Sequence, residues 1–218
     1  MKLTEAINSR HSTRKFTDQP VEQDVIKKIV QLAQRAPSWV NSQPWQVYCA
    51  MGDSLAQIKT TYHKEDLAGN HSHPDLAVMS RDDWSPETQE NMKKWRHGIV
   101  NHFATFDEAH DQMTTASNTL YNSPVILYIT IPLASPDWSI FDAGAFAENI
   151  MLAATDQGLS SIPTYNSVRF PEILHRLLNV SEDERFIVGI SLGYEDESKI
   201  NSYRSERRPL GEVLHFCD

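Results

Sequence analysis

Little in this chain could serve as a staple or a membrane anchor. Its 218 residues include two cysteines, Cys49 and Cys217, which share no metal or redox spacing. That excludes a disulfide framework and a thiolate metal site, and a disulfide-free, cytoplasmic protein is the expectation. There are eight glycines, and those around Gly144 and Gly158 form no G-x-G-x-x-G, which removes the dinucleotide fingerprint. Without a G-x-S-x-G or a Cys–His nucleophile setting, covalent hydrolysis is set aside. No apolar run is long enough to span a membrane, and the opening Met1-Lys2-Leu3-Thr4-Glu5 lacks the apolar core of a secretory signal. Positive charge is also short: 20 Lys and Arg face 29 Asp and Glu, a net charge of −9. Nucleic acid as the main partner is therefore not expected, while a local cationic pocket for one phosphate remains open.

The apolar residues that are present have a clear order. Residues 3–9 read as a short helix with Leu3, Ala6 and Ile7 on one side. Val25, Ile26, Ile29, Val30, Leu32 and Ala33 recur at helical spacing, and Pro37 closes that unit. Trp45 to Met51 reads as a strand, Gly52-Asp53 as a turn and Ser54 to Tyr62 as a helix. Residues 63–100 are rich in His, Asp and Asn and broken by Pro74 and Pro86, so they read as an irregular insertion that turns helical near Pro86, with a further helix from Phe106 to Thr119. Pro124 to Ile131 is a strand apolar enough to be buried on both faces. Ser139 to Gln157 is a helix with Gly158 as its cap, followed by a short strand at Leu159–Pro163, a helix at Pro171–Leu178 and a strand at Arg185–Leu192. The elements do not alternate regularly, so a layered α/β-type domain is expected rather than a doubly wound sheet.

Two polar constellations interrupt this scaffold. Arg10-His11-Ser12-Thr13-Arg14 places two guanidiniums and a hydroxyl within five residues, a set that can hold a phosphate and a second electron-rich group; from spacing alone a solvated basic turn is the slightly better reading. A second group, Arg204, Arg207 and Arg208, has the same two readings. Ala36-Pro37-Ser38-Trp39-Val40-Asn41-Ser42-Gln43-Pro44-Trp45 joins a helix to a strand, where a plain turn would suffice. Its amides and hydroxyls set among tryptophans suit a flat heteroaromatic ligand. Six histidines between His63 and His110 offer only one close pair, His71 and His73, and no ligand set, so no metal site is assigned. Asp142 and Glu148 read as solvated or helix-stabilising residues.

Taken together, these segments resemble the nitroreductase family. The R-x-S-x-R of Arg10–Arg14 with Phe16 and Pro20-Val21, and the A-P-S-x-x-N-x-Q-P-W of Ala36–Trp45, carry the likeness. Asp142-Ala143-Gly144 through Gly158-Leu159 to Pro163-Thr164-Tyr165 follows in order, as do Gly189–Tyr194, Asn201, Arg204, Arg207 and Pro209-Leu210. The ending and the long insertion look most like the nitrobenzoate-reductase branch. The resemblance implies an α+β fold with a central, mostly antiparallel sheet flanked by helices. It implies one domain over 1–218 with a helical insertion at about 63–118, in a homodimer whose C-terminal arm wraps the partner.

FMN would lie at the subunit interface. Arg10, Ser12 and Arg207 would hold its phosphate, with His11 assisting and Arg204 replacing a family lysine. Arg14 would lie near flavin N1 and O2 and stabilise the reduced flavin. Pro37, Ser38, Trp39 and Asn41 would approach from the other subunit, with Gln43 near the ring or ribityl chain. A backbone N–H near Pro163, Thr164 or Tyr165 would reach N5. The implied activity is ping-pong hydride transfer from NADPH or NADH through FMN to a nitroaromatic, quinone or related acceptor. Trp84, Trp95, Phe103 and Phe106 of the insertion are candidates to cover the pocket. Reductive dehalogenation or flavin cleavage on the same scaffold, and a cofactor-free interaction protein, are the alternatives.

Overall fold

In chain order, helices α1 (Leu3–Ser9) and α2 (Gln23–Ala33) lead into strand β1 (Gln46–Met51) and helix α3 (Gly52–Ala68). Helices α4 (Pro86–Asn101) and α5 (Phe106–Asn118) precede β2 (Val125–Pro132), α6 (Asp137–Asp156) and β3 (Ser160–Thr164). Helix α7 (Pro171–Leu178), β4 (Glu184–Gly193) and the single turn α8 (Lys199–Ser202) complete the order. This computed structural model describes residues 1–217; Asp218, the last residue of the expected domain, lies outside the described residues.

Strand β2 organises the rest. Seven of its eight residues are buried, because its alternate side chains enter two different layers. Val125, Leu127, Ile129 and Ile131 pack against α2 and α6. Ile126 and Tyr128 pack with Leu55, Ile58 and Tyr62 of α3 and Ile173 and Leu174 of α7. Each fully buried aliphatic side chain contributes about 1.5–3 kcal/mol of transfer free energy, so covering both faces explains the nearly unbroken apolar run. The strands lie in the order β1-β2-β4-β3, and every pairing is antiparallel. One strand edge of β3 is thereby left for another segment. Helix α6 stacks Phe146 on Trp45 at 4.6 Å, and Gly158, at φ +77°, takes the left-handed position that follows it.

The insertion has its own small core of Ile99, Phe103, Ala109 and Ala116, closed by Ile200 of α8. Two features differ from the sequence expectation. Gly52 does not form a separate turn but opens α3, and that helix continues six residues past Tyr62, to Ala68. Tyr62 is its last buried side chain, so the apolar period ends there while good helix formers carry the backbone on. Gly69, at φ +72°, ends it, and Arg169 holds Asp66 at 2.7 Å.

Candidate functional site

The arginine segment is laid along the free edge of β3. Ser12 forms a parallel bridge with Ser161, and the Thr13 N–H donates to Ser161 O at 3.1 Å. Further on, Phe16 bridges Glu195 and the Thr17 N–H donates to Tyr194 O at 2.9 Å. Thr13 and Phe16 are buried and fasten the segment at two points. From that register the chain runs toward Arg14 on one side and Pro163–Tyr165 on the other. Thr164 is buried, whereas Pro163 and Tyr165 are exposed, and the Tyr165 hydroxyl hydrogen-bonds Ser72 of the insertion at 2.9 Å. Three buried hydroxyls here, on Thr13, Ser161 and Thr164, have no hydrogen-bond partner among the described residues.

Arg14 is the central charge. Its Nη1 donates to Ser12 O at 3.1 Å, and its guanidinium lies 5.9 Å from the centre of the Trp95 ring. Burial pulls its pKa down from the ordinary arginine value, and the Tyr121 and Tyr203 hydroxyls lie close enough to act against that. No carboxylate is paired with it among the described residues, so a partly desolvated cation is left without a counter-ion. Arg10 faces Glu148 of α6 at 3.9 Å. The His11 ring is engaged by Glu195 at 3.0 Å and by Ser9 O at 2.9 Å.

In the second cluster, Arg204 Nη1 donates to Asn201 O at 2.5 Å. Among the described residues, Arg207 bonds only within its own stretch, to Ser205 and Glu206, and Arg208 pairs with Glu87. Together with Lys94, Trp95 and Tyr203, these three arginines line a cleft of about 830 Å³ between α4 and the C-terminal stretch. No hydrogen bond joins Arg207 to Arg10 or Ser12.

The Pro37–Trp45 loop sits elsewhere, at the start of α6. The Trp39 N–H donates to Asp142 Oδ2 at 3.0 Å, Gln43 N–H donates to Ser38 Oγ at 3.0 Å, and Gln43 Nε2 donates to Asn41 O at 3.3 Å. Trp39 stacks on Trp138 at 5.3 Å. Val40, Asn41 and Gln43 have φ of 49°, 59° and 45°, left-handed positions interrupted by Ser42 at φ −64°; the conformation is costly for a β-branched valine. Trp39 and Val40 are exposed. No hydrogen bond links the loop to the arginine segment of the same chain.

Asp142, read from sequence as solvated or helix-stabilising, is not solvated: it is 3% exposed and accepts the Trp39 N–H that anchors the loop. Of the insertion aromatics, Trp95 lies against Arg14, Phe103 belongs to the insertion core, Phe106 stacks on His110 and Trp84 is exposed. Tyr121 was not singled out by sequence, yet it lies beside Arg14 in a left-handed stretch, Leu120–Asn122. Leucine and tyrosine give no signal for such a conformation. Among the described residues, no three His, Cys, Asp or Glu side chains gather as a metal site, and no helix is long and apolar enough to cross a membrane.

The family model described as Nitroreductase family matches residues 7–194. A 4-nitrobenzoate reductase of Pseudomonas putida is 27% identical over 214 residues, covering 96% of this chain and 93% of its own. A chloronitrobenzene nitroreductase of Comamonas testosteroni is 28% identical over 221 residues, covering 98% and 96%. Among solved structures, the FMN and NADPH-dependent nitroreductase NfnB from Sphigopyxis sp. strain HMH superposes with a TM-score of 0.91 at 22% identity, over all of both chains.

Proposed function

The chain belongs to the nitroreductase family, and on that premise we propose that it is an FMN-dependent oxidoreductase that takes hydride from NADPH or NADH and delivers it to nitroaromatic, quinone or related acceptors. The observation that carries this reading is Arg14: a half-buried guanidinium without a carboxylate partner, set beside a β3 edge that has unpartnered buried hydroxyls. Such a group suits a ligand that gains negative charge during turnover.

The residues present fit FMN. Arg10 and Ser12, with Arg204 and Arg207, would hold the phosphate, and His11 would contribute its backbone because its ring is already engaged. Arg14 would stabilise charge gained at flavin N1 and O2. Pro163, Thr164 and Tyr165 would present backbone toward N5. When bound, FMN supplies the hydride chemistry between nicotinamide and acceptor. One site that serves donor and acceptor in turn gives ping-pong kinetics.

The Pro37, Ser38, Trp39, Asn41 and Gln43 face would serve the site of a second copy, which accords with the lack of any hydrogen bond between it and the arginine segment of its own chain. A homodimer would also cover the exposed Leu3 and Ile7 of α1, Trp138 and Phe141 of α6, and Leu210, Val213, Leu214 and Phe216 of the C-terminal arm. Trp138 touches both Trp39 and Phe141, and a contiguous exposed apolar group of this kind fits an interaction surface. We place the protein in the cytoplasm as one domain with a helical insertion.

The test is the visible spectrum of the purified protein before and after anaerobic NADPH or NADH, followed by addition of 4-nitrobenzoate. A yellow protein that bleaches with the donor and recolours with the acceptor is expected. A colourless protein that takes up no added FMN would overturn the proposal.

A further inference from the structure

The two arginine clusters lie at opposite ends of the sequence, and one buried residue, Asn201, joins them. Asn201 sits on α8 and is 2% exposed. Its Oδ1 accepts the backbone N–H of Arg14 at 2.7 Å and that of Lys15 at 3.1 Å, 187 and 186 residues away. Its Nδ2 donates to Lys15 O at 2.7 Å and to Asp196 O at 2.9 Å. Both amide protons and both acceptor directions are thus used, which is the full capacity of the group. Its own carbonyl accepts Arg204 Nη1 at 2.5 Å. One residue therefore fixes the backbone beneath Arg14 and docks the guanidinium of the other cluster.

We infer that Asn201 is a positioning residue of the flavin site: through the Arg14 backbone its side chain sets where positive charge is presented, and so how much more tightly reduced FMN is held than oxidised FMN. This rests on the function proposed above. Other side chains do not reproduce the arrangement. Aspartate could accept both N–H groups but would leave Asp196 O without a donor and Lys15 O with only the Asp196 N–H, and would place a carboxylate against the Arg14 backbone. Alanine would strand the Arg14 and Lys15 N–H groups and Asp196 O, part-buried groups that are costly to leave unpaired. A purely structural amide would stabilise the fold equally with either redox form bound, whereas a positioning residue must alter the ratio of the two affinities.

The test is titration of the apoprotein with oxidised FMN, and anaerobically with reduced FMN, for the wild type, Asn201→Ala, Asn201→Asp and, as a control, Ile99→Val in the insertion core. The expected result for Asn201→Ala is at least tenfold weaker FMN binding, with the ratio of reduced to oxidised affinity moved about tenfold against reduced FMN. That ratio corresponds to about 30 mV for a two-electron couple. Asn201→Asp should move it further in the same direction, and Ile99→Val should lower thermal stability and leave it unchanged. Should Asn201→Ala fail to fold, Asn201→Asp alone must show the shift. A folded Asn201 variant with the wild-type ratio overturns the inference and leaves the proposed function standing, whereas a wild-type protein that binds no FMN overturns both.

Discussion

Trp39 and Asp142, 103 residues apart in sequence, are joined by a 3.0 Å hydrogen bond from the Trp39 backbone N–H to the Asp142 carboxylate. The bond hangs the exposed aromatic loop on the first turns of α6, and the left-handed residues that follow depend on that support. Asp142→Ala should lower the unfolding free energy by about 2 kcal/mol, the range for a hydrogen bond to a charged group. Asp142→Asn keeps an acceptor and should lose less. Urea unfolding of both variants measures the difference, and equal stabilities would mean that the bond does not hold the loop.

Arg14→Met should slow flavin reduction by on the order of 10²-fold, comparable to removing a preorganised electrostatic donor, while FMN retention should fall less because the phosphate set proposed above, Arg10, Ser12 and Arg207, is left intact. Stopped-flow reduction beside FMN titration separates the two effects. A reduction rate equal to the wild type would remove Arg14 from the charge-stabilising role.

The contrast between Arg14 and Asn201 indicates what a sequence can reveal. The α2 stripe, the β2 run and Pro171 at the start of α7 follow from local periodicity and helix-start chemistry, so their elements are legible within a residue or two. The Arg10–Arg14 motif is legible because its charges crowd five positions. Asp142 and Asn201 are ordinary polar residues on helical turns, and their importance lies in partners more than 100 residues away. The length of α3 was hidden for a related reason: its last six residues bury nothing, so no apolar period marks them.

Gly98 lets the insertion approach the site. A Cβ placed there would lie 2.6 Å from the Tyr203 hydroxyl, which itself donates to Trp95 O at 3.3 Å. Glycine to alanine within a helix usually stabilises by about 0.5–1 kcal/mol. Here Gly98→Ala should destabilise or at best be neutral, and combining it with Tyr203→Phe should recover the ordinary gain. A double-mutant cycle in thermal unfolding reads the coupling, and additive effects would show that α4 shifts freely.

Tyr48 gives a pH signature remote from the site. Its hydroxyl donates to Glu184 at 2.7 Å, and burial, reinforced by that bond and the carboxylate's charge, pushes its pKa from 10 up to about 12. Since the folded-state value is the higher one, its contribution is complete below about pH 10 and is lost as pH rises through about 12. Tyr48→Phe should therefore flatten the fall in stability across that window and leave the slope near neutrality unchanged. Unfolding curves from pH 9 to 12 with identical slopes in both proteins would contradict this.

The C-terminal stretch, proposed above as an arm on a second copy, supplies the most direct test of assembly. Leu210, Val213, Leu214 and Phe216 are 72, 57, 45 and 86% exposed, so each gains little from its own chain. If they pack on a second copy, introducing charge should cost the dimer without affecting the protomer's core. Leu210→Asp combined with Phe216→Asp should shift the light-scattering mass from twice the chain mass toward the chain mass at micromolar concentration, and the far-ultraviolet spectrum should be preserved. FMN retention should fall with it, because the loop around Trp39 would no longer reach the partner's site. A variant that remains dimeric and retains FMN would remove the arm from the interface and leave α1, α6 and the Trp39 loop to form it alone.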